Sequence, residues 1–320
     1  MTRKALVTGI SGQTASFLAE FLLEKGYEVY GLLRRTSTNN TERIKHLLPY
    51  ITLISGDLAD QSSLDGAFEL VQPDETYHLA AQSHVQDSFS QPELTANVTG
   101  LGALRTLEAM RKYSPNSRLY FAASSEMWGK VQEVPQTETT PFYPRSPYGS
   151  AKAFGFYTVR NYRESYDLFA CSGICTNHES TRRGETFVTK KIAMGVAEIK
   201  AGLRNYIELG NLEAKRDWMH AKDVVKGMWL MLQQSEPQDY VLASGHTYSI
   251  AEFLKEAFHI AGIPDWSKYV RINEGFLRPA EVDLLLGDPS KAERELGWTR
   301  EYSFQDIVAD MTTFELTRLM

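Results

Sequence analysis

An α/β fold, a doubly wound parallel sheet with a smaller C-terminal α/β domain, is predicted for this chain by three observations. Short apolar runs rich in β-formers alternate with helical patterns, the arrangement that builds parallel sheets. The first run, Lys4–Thr8, passes through Gly9-Ile-Ser-Gly12 directly into helical spacing. The run RLYFAA ends in Ser124, Ser125 and Glu126, and a helix opening soon afterwards carries Tyr148 and Lys152 four residues apart.

Composition sets the outer limits. A chain of 320 residues is long enough for one large α/β domain or two closely joined ones. A net charge of −6 argues against a nucleic-acid footprint, which needs clustered excess Lys and Arg. The sequence enters a strand within its first residues and holds no run of about 18 apolar residues, so neither a signal peptide nor a membrane span is expected, and a cytosolic location follows. Cys171 and Cys175 are the two cysteines. On one strand they lie about 13 Å apart, too far to bridge, which reads as reduced core thiols. The seven His show no ligand spacing, so no metal site is expected.

In chain order, Lys4–Thr8, the helix from Gln13 and the strand EVYGLL form a βαβ unit, with Gly26 ending the helix. Gly9 permits the tight turn and Gly12 lets the main chain approach a pyrophosphate on the helix N-terminus, with Gln13 and Thr14 beside it. Ala15 stands where a small residue allows close packing of helix on sheet. After the second strand, where an acidic residue would hold the ribose of NAD, the chain has Arg34, Arg35, Thr36 and Ser37. Two cations with hydroxyls suit a 2′-phosphate, hence NADP, although they also read as two surface arginines. The strands ITLISGD and ETYHLAA follow. Their ends, Asp57 with Leu58 and Leu79, Ala81, Gln82 and Ser83, are placed beside the adenine and along the ribose and pyrophosphate, or else are ordinary turn residues. Beyond the Tyr148 helix come the strand FACSGICT, the polar motif Asn177-His178-Glu179-Ser180-Thr-Arg182-Arg183-Gly184 and a helix over FVTKKIAMGVAEIKAG. Another helix covers AKDVVKGMWLMLQQ, followed by the strand DYVLAS, a helix from Ile250 to about Ile260 and a last helix after Ser303. Residues 1–176 and about 215–243 are assigned to the dinucleotide domain, and about 177–214 and 244–320 to the substrate domain.

The chemistry centres on Tyr148 and Lys152. A phenol and an ammonium on one helical face form an acid/base pair, and the charge of Lys152 is expected to pull the Tyr148 pKa down from about 10 toward neutrality. Glu126 adds a second base. With 16 Tyr in the chain, a Tyr-x-x-x-Lys should arise by accident about once, so its company with the Gly-rich turn and Ser-Ser-Glu carries the argument.

The stretches AEFLLEKGYEVYGLLRR, LAAQSHV, SSEMWGKVQEVPQTETTPFYPRSPYGSAK, NHES-x-RRG-x-x-FVTKKI, LGNLEAKRDW and RPAEVDLLLGD resemble the extended short-chain dehydrogenase/reductase family, and within it the branch that dehydrates GDP-mannose. The similarity runs over essentially the whole chain. It implies that Tyr148 deprotonates the sugar's 4-hydroxyl as hydride leaves C4, that Glu126 then removes the C5 proton and assists loss of the 6-hydroxyl, and that Ser124 hydrogen-bonds the C4 oxygen. It also implies His178 and Arg183 near the cofactor, and Ser83, Asn177, Val188, Lys191, Arg216, Arg278 and Glu281 around the nucleotide sugar. The segment 34–40 is similar to one that reaches a neighbouring subunit's cofactor site, implying a homotetramer or homodimer.

Departures from that pattern are Thr14 and Ala15 in the turn, Ser124 for Thr, Trp128 for Tyr or Phe, Cys175 and Thr176 before Asn177, Thr181 for Pro and Met219 for Gly. Those near Asn177 and Met219 leave another GDP-sugar, such as a GDP-heptose, open. A nucleotide-sugar epimerase or reductase would need Tyr148 and Lys152 but not Glu126. A non-catalytic NADP-binding protein would need none of Ser124, Glu126, Tyr148 and Lys152.

Overall fold

The computed structural model describes residues 2–38, 40–276, 280, 282 and 284–319. Arg278 and Glu281, expected at the nucleotide sugar, lie outside the described residues.

Seven parallel strands form the large sheet: β1 (Lys4–Thr8), β2 (Glu28–Leu33), β3 (Thr52–Ser55), β4 (Glu75–His78), β5 (Arg118–Ser124), β6 (Ala170–Cys175) and β11 (Tyr240–Leu242), in the order β11-β6-β5-β4-β1-β2-β3. This is the doubly wound, Rossmann-type order, in which the chain departs from β1 first to one side and then to the other. Strands buried on both faces need apolar residues throughout, and Ala5, Leu6 and Val7 of β1 are at most 1% exposed.

Each face has its own core. Leu18 and Leu22 of α1 (Gln13–Glu24) pack with Val224 and Met228 of the Ala221–Leu232 helix on one side. The other side gathers Leu64 and Phe68, Leu107 and Met110, and Phe156 and Val159, from the helices Gln61–Val71, Leu101–Tyr113 and Pro147–Tyr166. A third core, built on Ile192, Val196, Phe253, Phe258, Phe304 and Met311, joins the helices Val188–Lys200, Ile250–Ile260 and Phe304–Leu319. Ala292, Leu296 and Trp298 belong to the first core, so this late stretch packs with the large sheet.

Short strand pairs connect the parts. β7 (Asn177–Glu179) pairs in parallel with β10 (Trp218–His220), and β8 (Ile207–Leu209) pairs with β13 (Val270–Ile272). β9 (Lys215–Arg216) runs antiparallel to β12 (Tyr248–Ser249). The cysteines are buried and unbridged. No helix among the described residues is long and apolar enough to cross a membrane.

Candidate active site

Because every strand of the large sheet is parallel, their carboxyl ends share one edge. β5 ends there at Ser124, and the chain turns at once into a 3₁₀ turn, Ser125–Met127. The Ser124 hydroxyl accepts the Glu126 main-chain N–H at 3.2 Å, which closes the turn. The Pro147–Tyr166 helix starts with the Ser146 side chain accepting the Gly149 N–H at 3.0 Å and with Pro at its first position, both strong start signals. Gly149 is obligatory for the approach of this helix to the turn. A Cβ there would lie 2.6 Å from the Glu126 carbonyl oxygen. Ser124, Glu126 and Tyr148 are thereby brought together, and Lys152 sits one helical turn on.

Tyr148 and Lys152 are both buried. The Lys152 ammonium donates to the Ala122 carbonyl of β5 at 2.6 Å and stands 5.8 Å from the Tyr148 ring centre. The expected depression of the Tyr148 pKa is not found. Burial pushes the phenol up to about 12 and the nearby Glu126 carboxylate adds to this, while the hydrogen bond with Ser124 and the charge of Arg183 pull it back. Desolvation of the phenolate outweighs the Ser124 hydrogen bond and the Arg183 charge. The same burial holds Lys152 down to about 8.

At the cofactor edge, Gly9 has φ +68°, and a Cβ on it would meet the Ala80 Cα at 2.9 Å. A side chain therefore fits neither the turn nor the gap between β1 and β4. α1 begins at Gly12 with no side-chain cap, leaving its first N–H groups for an anion. The residues present thus fit a dinucleotide. The Thr8 hydroxyl accepts the N–H groups of Leu79 and Ala80, both at 3.1 Å, fixing the end of β4 against β1. Ala81, Gln82 and Ser83 follow that end, and the Gln82 amide donates to the His84 carbonyl at 3.0 Å. Asp57 closes its own turn by accepting the Ala59 N–H at 2.9 Å. Leu58, expected beside the adenine, is a core side chain 4% exposed, so only its main chain is available to a ligand. Thr14 is buried, and the side chain of Gln13 is engaged by a segment distant in sequence, through the His178 carbonyl and the Ser180 hydroxyl. Gln13 can offer a cofactor its main-chain N–H. Arg34, Arg35 and Ser37 are exposed just beyond β2.

A cavity of about 640 Å³ opens beside this edge, within the usual size range of ligand sites. Asn177, Val188, Lys191 and Arg216, all expected at the nucleotide sugar, line it together with Arg183. Ser83, Ser124 and Glu126, also expected there, lie outside its wall. Arg183 links the two regions, since it lines the cavity and its charge acts on Tyr148. Its guanidinium pairs with the buried Glu179 at 3.0 Å and lies 3.7 Å from the centre of the Phe187 ring. Burial lowers the Lys191 pKa, and its ammonium sits 3.6 Å from the Phe276 ring centre. His178, its Nδ1 3.1 Å from the Thr176 carbonyl, is held down to about 4 by burial and is neutral near pH 7.

Sequence reasoning missed Arg204, Asn211 and Phe276, which also line the cavity. Asn211 falls within LGNLEAKRDW, so the resemblance was its only signal. Arg204 and Phe276 lie in turns without periodicity or motif. Arg183, Lys191, Arg204 and Arg216 line the cavity against the carboxylates Glu179 and Glu185, a net positive lining that suits a multiply charged anion such as a nucleoside diphosphate.

The model of the GDP-mannose 4,6 dehydratase family matches residues 6–311. GDP-mannose 4,6 dehydratase of Drosophila melanogaster is 51% identical over 96% of this chain and 84% of its own length. GDP-mannose 4,6 dehydratase 2 of Arabidopsis thaliana is 50% identical over 98% of this chain and 86% of its own. Among solved structures, UDP-glucose 4-epimerase of Thermus thermophilus in complex with NAD superposes with a TM-score of 0.85 at 27% identity, covering 98% of both chains. The dTDP-glucose 4,6-dehydratase DesIV of Streptomyces venezuelae, with NAD bound, gives 0.85 at 25% identity, covering 97% of this chain and 96% of its own.

Proposed function

The chain belongs to the GDP-mannose 4,6-dehydratase family of extended short-chain dehydrogenases/reductases, and from that premise we propose how its own residues turn GDP-mannose into GDP-4-keto-6-deoxymannose. It is a carbon–oxygen lyase that works with a nicotinamide cofactor. When bound at the Gly9–Gly12 turn and the start of α1, a nicotinamide would supply a hydride acceptor for C4 and then a hydride donor for C6, with no net oxidation.

The observation that carries the assignment of roles is the seating of Glu126 and Ser124 on the helix start that holds Tyr148, made possible by Gly149. Tyr148 acts as phenolate, the form that the Ser124 hydrogen bond and the charge of Arg183 favour against burial, and in that form takes the proton of the 4-hydroxyl, while the hydroxyl of Ser124 hydrogen-bonds that oxygen. Lys152, anchored to the Ala122 carbonyl, holds a positive charge one helical turn from the phenol. Once C4 is a ketone the C5 proton is acidic, and Glu126 removes it and protonates the departing 6-hydroxyl. Two bases in one site are what oxidation followed by elimination requires.

The GDP portion is assigned to the cation-lined cavity, with Asn177, Val188, Lys191 and Arg216 around it and Arg183 toward the reacting end. GDP-mannose is favoured over a GDP-heptose because the relatives at 50% and 51% identity are GDP-mannose 4,6 dehydratases, and the departures near Asn177 are buried side chains outside the cavity wall. Cys175 meets the Tyr120 hydroxyl at 3.3 Å, Thr176 donates to Asp217 at 3.0 Å, and Met219 is 1% exposed in the first core. NADP rather than NAD is supported by Arg34, Arg35 and Ser37 beyond β2, where no carboxylate stands. The interleaved division of the chain into cofactor and sugar domains is supported by the separate third core, with residues 292–298 counted with the large sheet.

A homo-oligomer is supported by exposed apolar side chains on neighbouring helices, Leu94, Leu101, Phe154 and Tyr157. A monomer with full activity in light scattering at micromolar concentration would rule it out. The reaction is tested by mass spectrometry of GDP-mannose incubated with the protein. Loss of one water without net oxidation is expected, and an unchanged sugar nucleotide in the presence of added NADP⁺ would overturn the assignment.

A further inference from the structure

The side-chain amide of Gln13 is closed on both sides by a segment 165 and 167 residues away in sequence: its Nε2 donates to the His178 carbonyl at 2.9 Å, and its Oε1 accepts the Ser180 hydroxyl at 2.7 Å. The Ser180 oxygen also accepts the Arg182 N–H at 3.1 Å. Arg182 then returns to α1, donating to the Ser16 hydroxyl at 3.0 Å and to Glu20 at 2.6 Å. The guanidinium lies 4.0 Å from the Phe17 ring centre. The first turns of α1 and the segment 178–182 are therefore clasped at two points. Ser180 is 0% exposed and Gln13 9%, so water competes little for these bonds.

The clasp joins two sites. α1 carries the turn that fits the cofactor, and the clasped segment runs between Asn177 and Arg183, both in the wall of the cavity. In this reaction hydride must cross between two ligands held on different elements, once from C4 and once to C6. Their separation is set by how those elements are fastened, and a misplacement of about 1 Å can cost about 10²-fold in rate.

We propose that Gln13 and Ser180 form a positioning clasp that couples the cofactor turn to the nucleotide-sugar segment, so that filling one site sets the geometry of the other. The inference rests on the reading of the cavity as a GDP site. Calorimetry with GDP, which cannot turn over, tests it in the absence and presence of saturating NADP⁺. In the unmodified protein NADP⁺ is expected to tighten GDP binding by about fivefold or more, an ordinary coupling. Gln13→Leu, near in shape but without hydrogen bonds, and the milder Ser180→Ala should each bring that ratio to within about twofold of one. With GDP-mannose both should lower kcat by about tenfold or more and leave KM within about threefold.

A ratio near one in the unmodified protein, or an unchanged ratio in both variants, overturns the clasp. If Gln13→Leu weakens NADP⁺ binding more than about tenfold while Ser180→Ala changes nothing, Gln13 is a cofactor contact and the proposal is wrong. Failure of GDP to bind the unmodified protein would instead overturn the reading of the cavity, so the two failures are told apart.

Discussion

The Lys152 ammonium bonds the Ala122 carbonyl at 2.6 Å, which fixes the Pro147–Tyr166 helix to β5 through a charge buried to 3% exposure. Its pKa in the folded protein, about 8, lies below the 10.5 of a free lysine. Between those values the unfolded chain binds more protons than the folded one, so stability rises with pH. The contribution is complete above 10.5 and is lost as pH falls through 8, on the order of 3 kcal/mol in all. Denaturant unfolding of the unmodified protein and of Lys152→Met between pH 8 and 10.5 should show the unmodified protein gaining on the variant. Parallel curves would show that the ammonium is not held in a costly site.

His78 gives the acid counterpart. It stacks on Phe121, its Nδ1 meets the Thr106 hydroxyl at 3.1 Å, and burial holds its pKa at about 3. The free value is 6.5, so here too the stabilisation is complete above the unfolded pKa and is lost as pH falls through the folded one. From pH 6.5 to 4 the loss should be on the order of 3 kcal/mol. His78→Gln, which cannot titrate, should flatten the acid limb of the stability curve whatever its effect at pH 7. An unaltered slope would mean that His78 is charged or exposed.

Cofactor choice is tested at Arg34, exposed past the end of β2 with Arg35 next to it. A charge-assisted bond to a 2′-phosphate is worth about 1.5–3 kcal/mol, or roughly 10- to 100-fold in affinity. Arg34→Asp should weaken NADP by that factor and abolish or reverse the preference over NAD, read by nicotinamide fluorescence titration. Equal binding of both cofactors by the unmodified protein would end the argument from the arginines.

What was legible in the sequence was whatever local chemistry writes down. The helix Ile250–Ile260 falls where its pattern puts it, because Ser249 and Glu252 form a complete capping box ahead of an apolar stripe. The run ITLISGD shortens to Thr52–Ser55 and ETYHLAA to Glu75–His78, since a strand ends where its neighbours stop pairing and not where apolar residues stop. Burial was harder to foresee. The spacing of Tyr148 and Lys152 gave their shared face, but only the packed fold shows that desolvation outweighs the charge of Arg183 at the phenol. Least visible were contacts across long sequence distances. Nothing near Gln13 announces His178 and Ser180, and nothing near Arg204 announces the cavity.

The two halves of the reaction can be separated at Glu126 and Tyr148. The Glu126 main chain is fixed, its N–H reaching Ser124 and its carbonyl facing Gly149, and Gln matches the side chain in size, so Glu126→Gln should leave the turn intact. The substitution keeps size and hydrogen bonding and removes the base, a loss that typically costs about 10²–10⁴ in rate. Tyr148→Phe removes the group proposed to start the oxidation and should block every chemical step. In the proposed mechanism Glu126 acts only once the ketone has acidified the C5 proton. Glu126→Gln should therefore still reduce bound NADP on mixing with GDP-mannose, seen as nicotinamide absorbance, while forming little 4-keto-6-deoxy product and washing little deuterium into C5. Turnover of this variant within a factor of about three of the unmodified enzyme, under 1 kcal/mol, would remove Glu126 from the elimination step. Absence of any nicotinamide signal would instead put its role before the oxidation, alongside Tyr148.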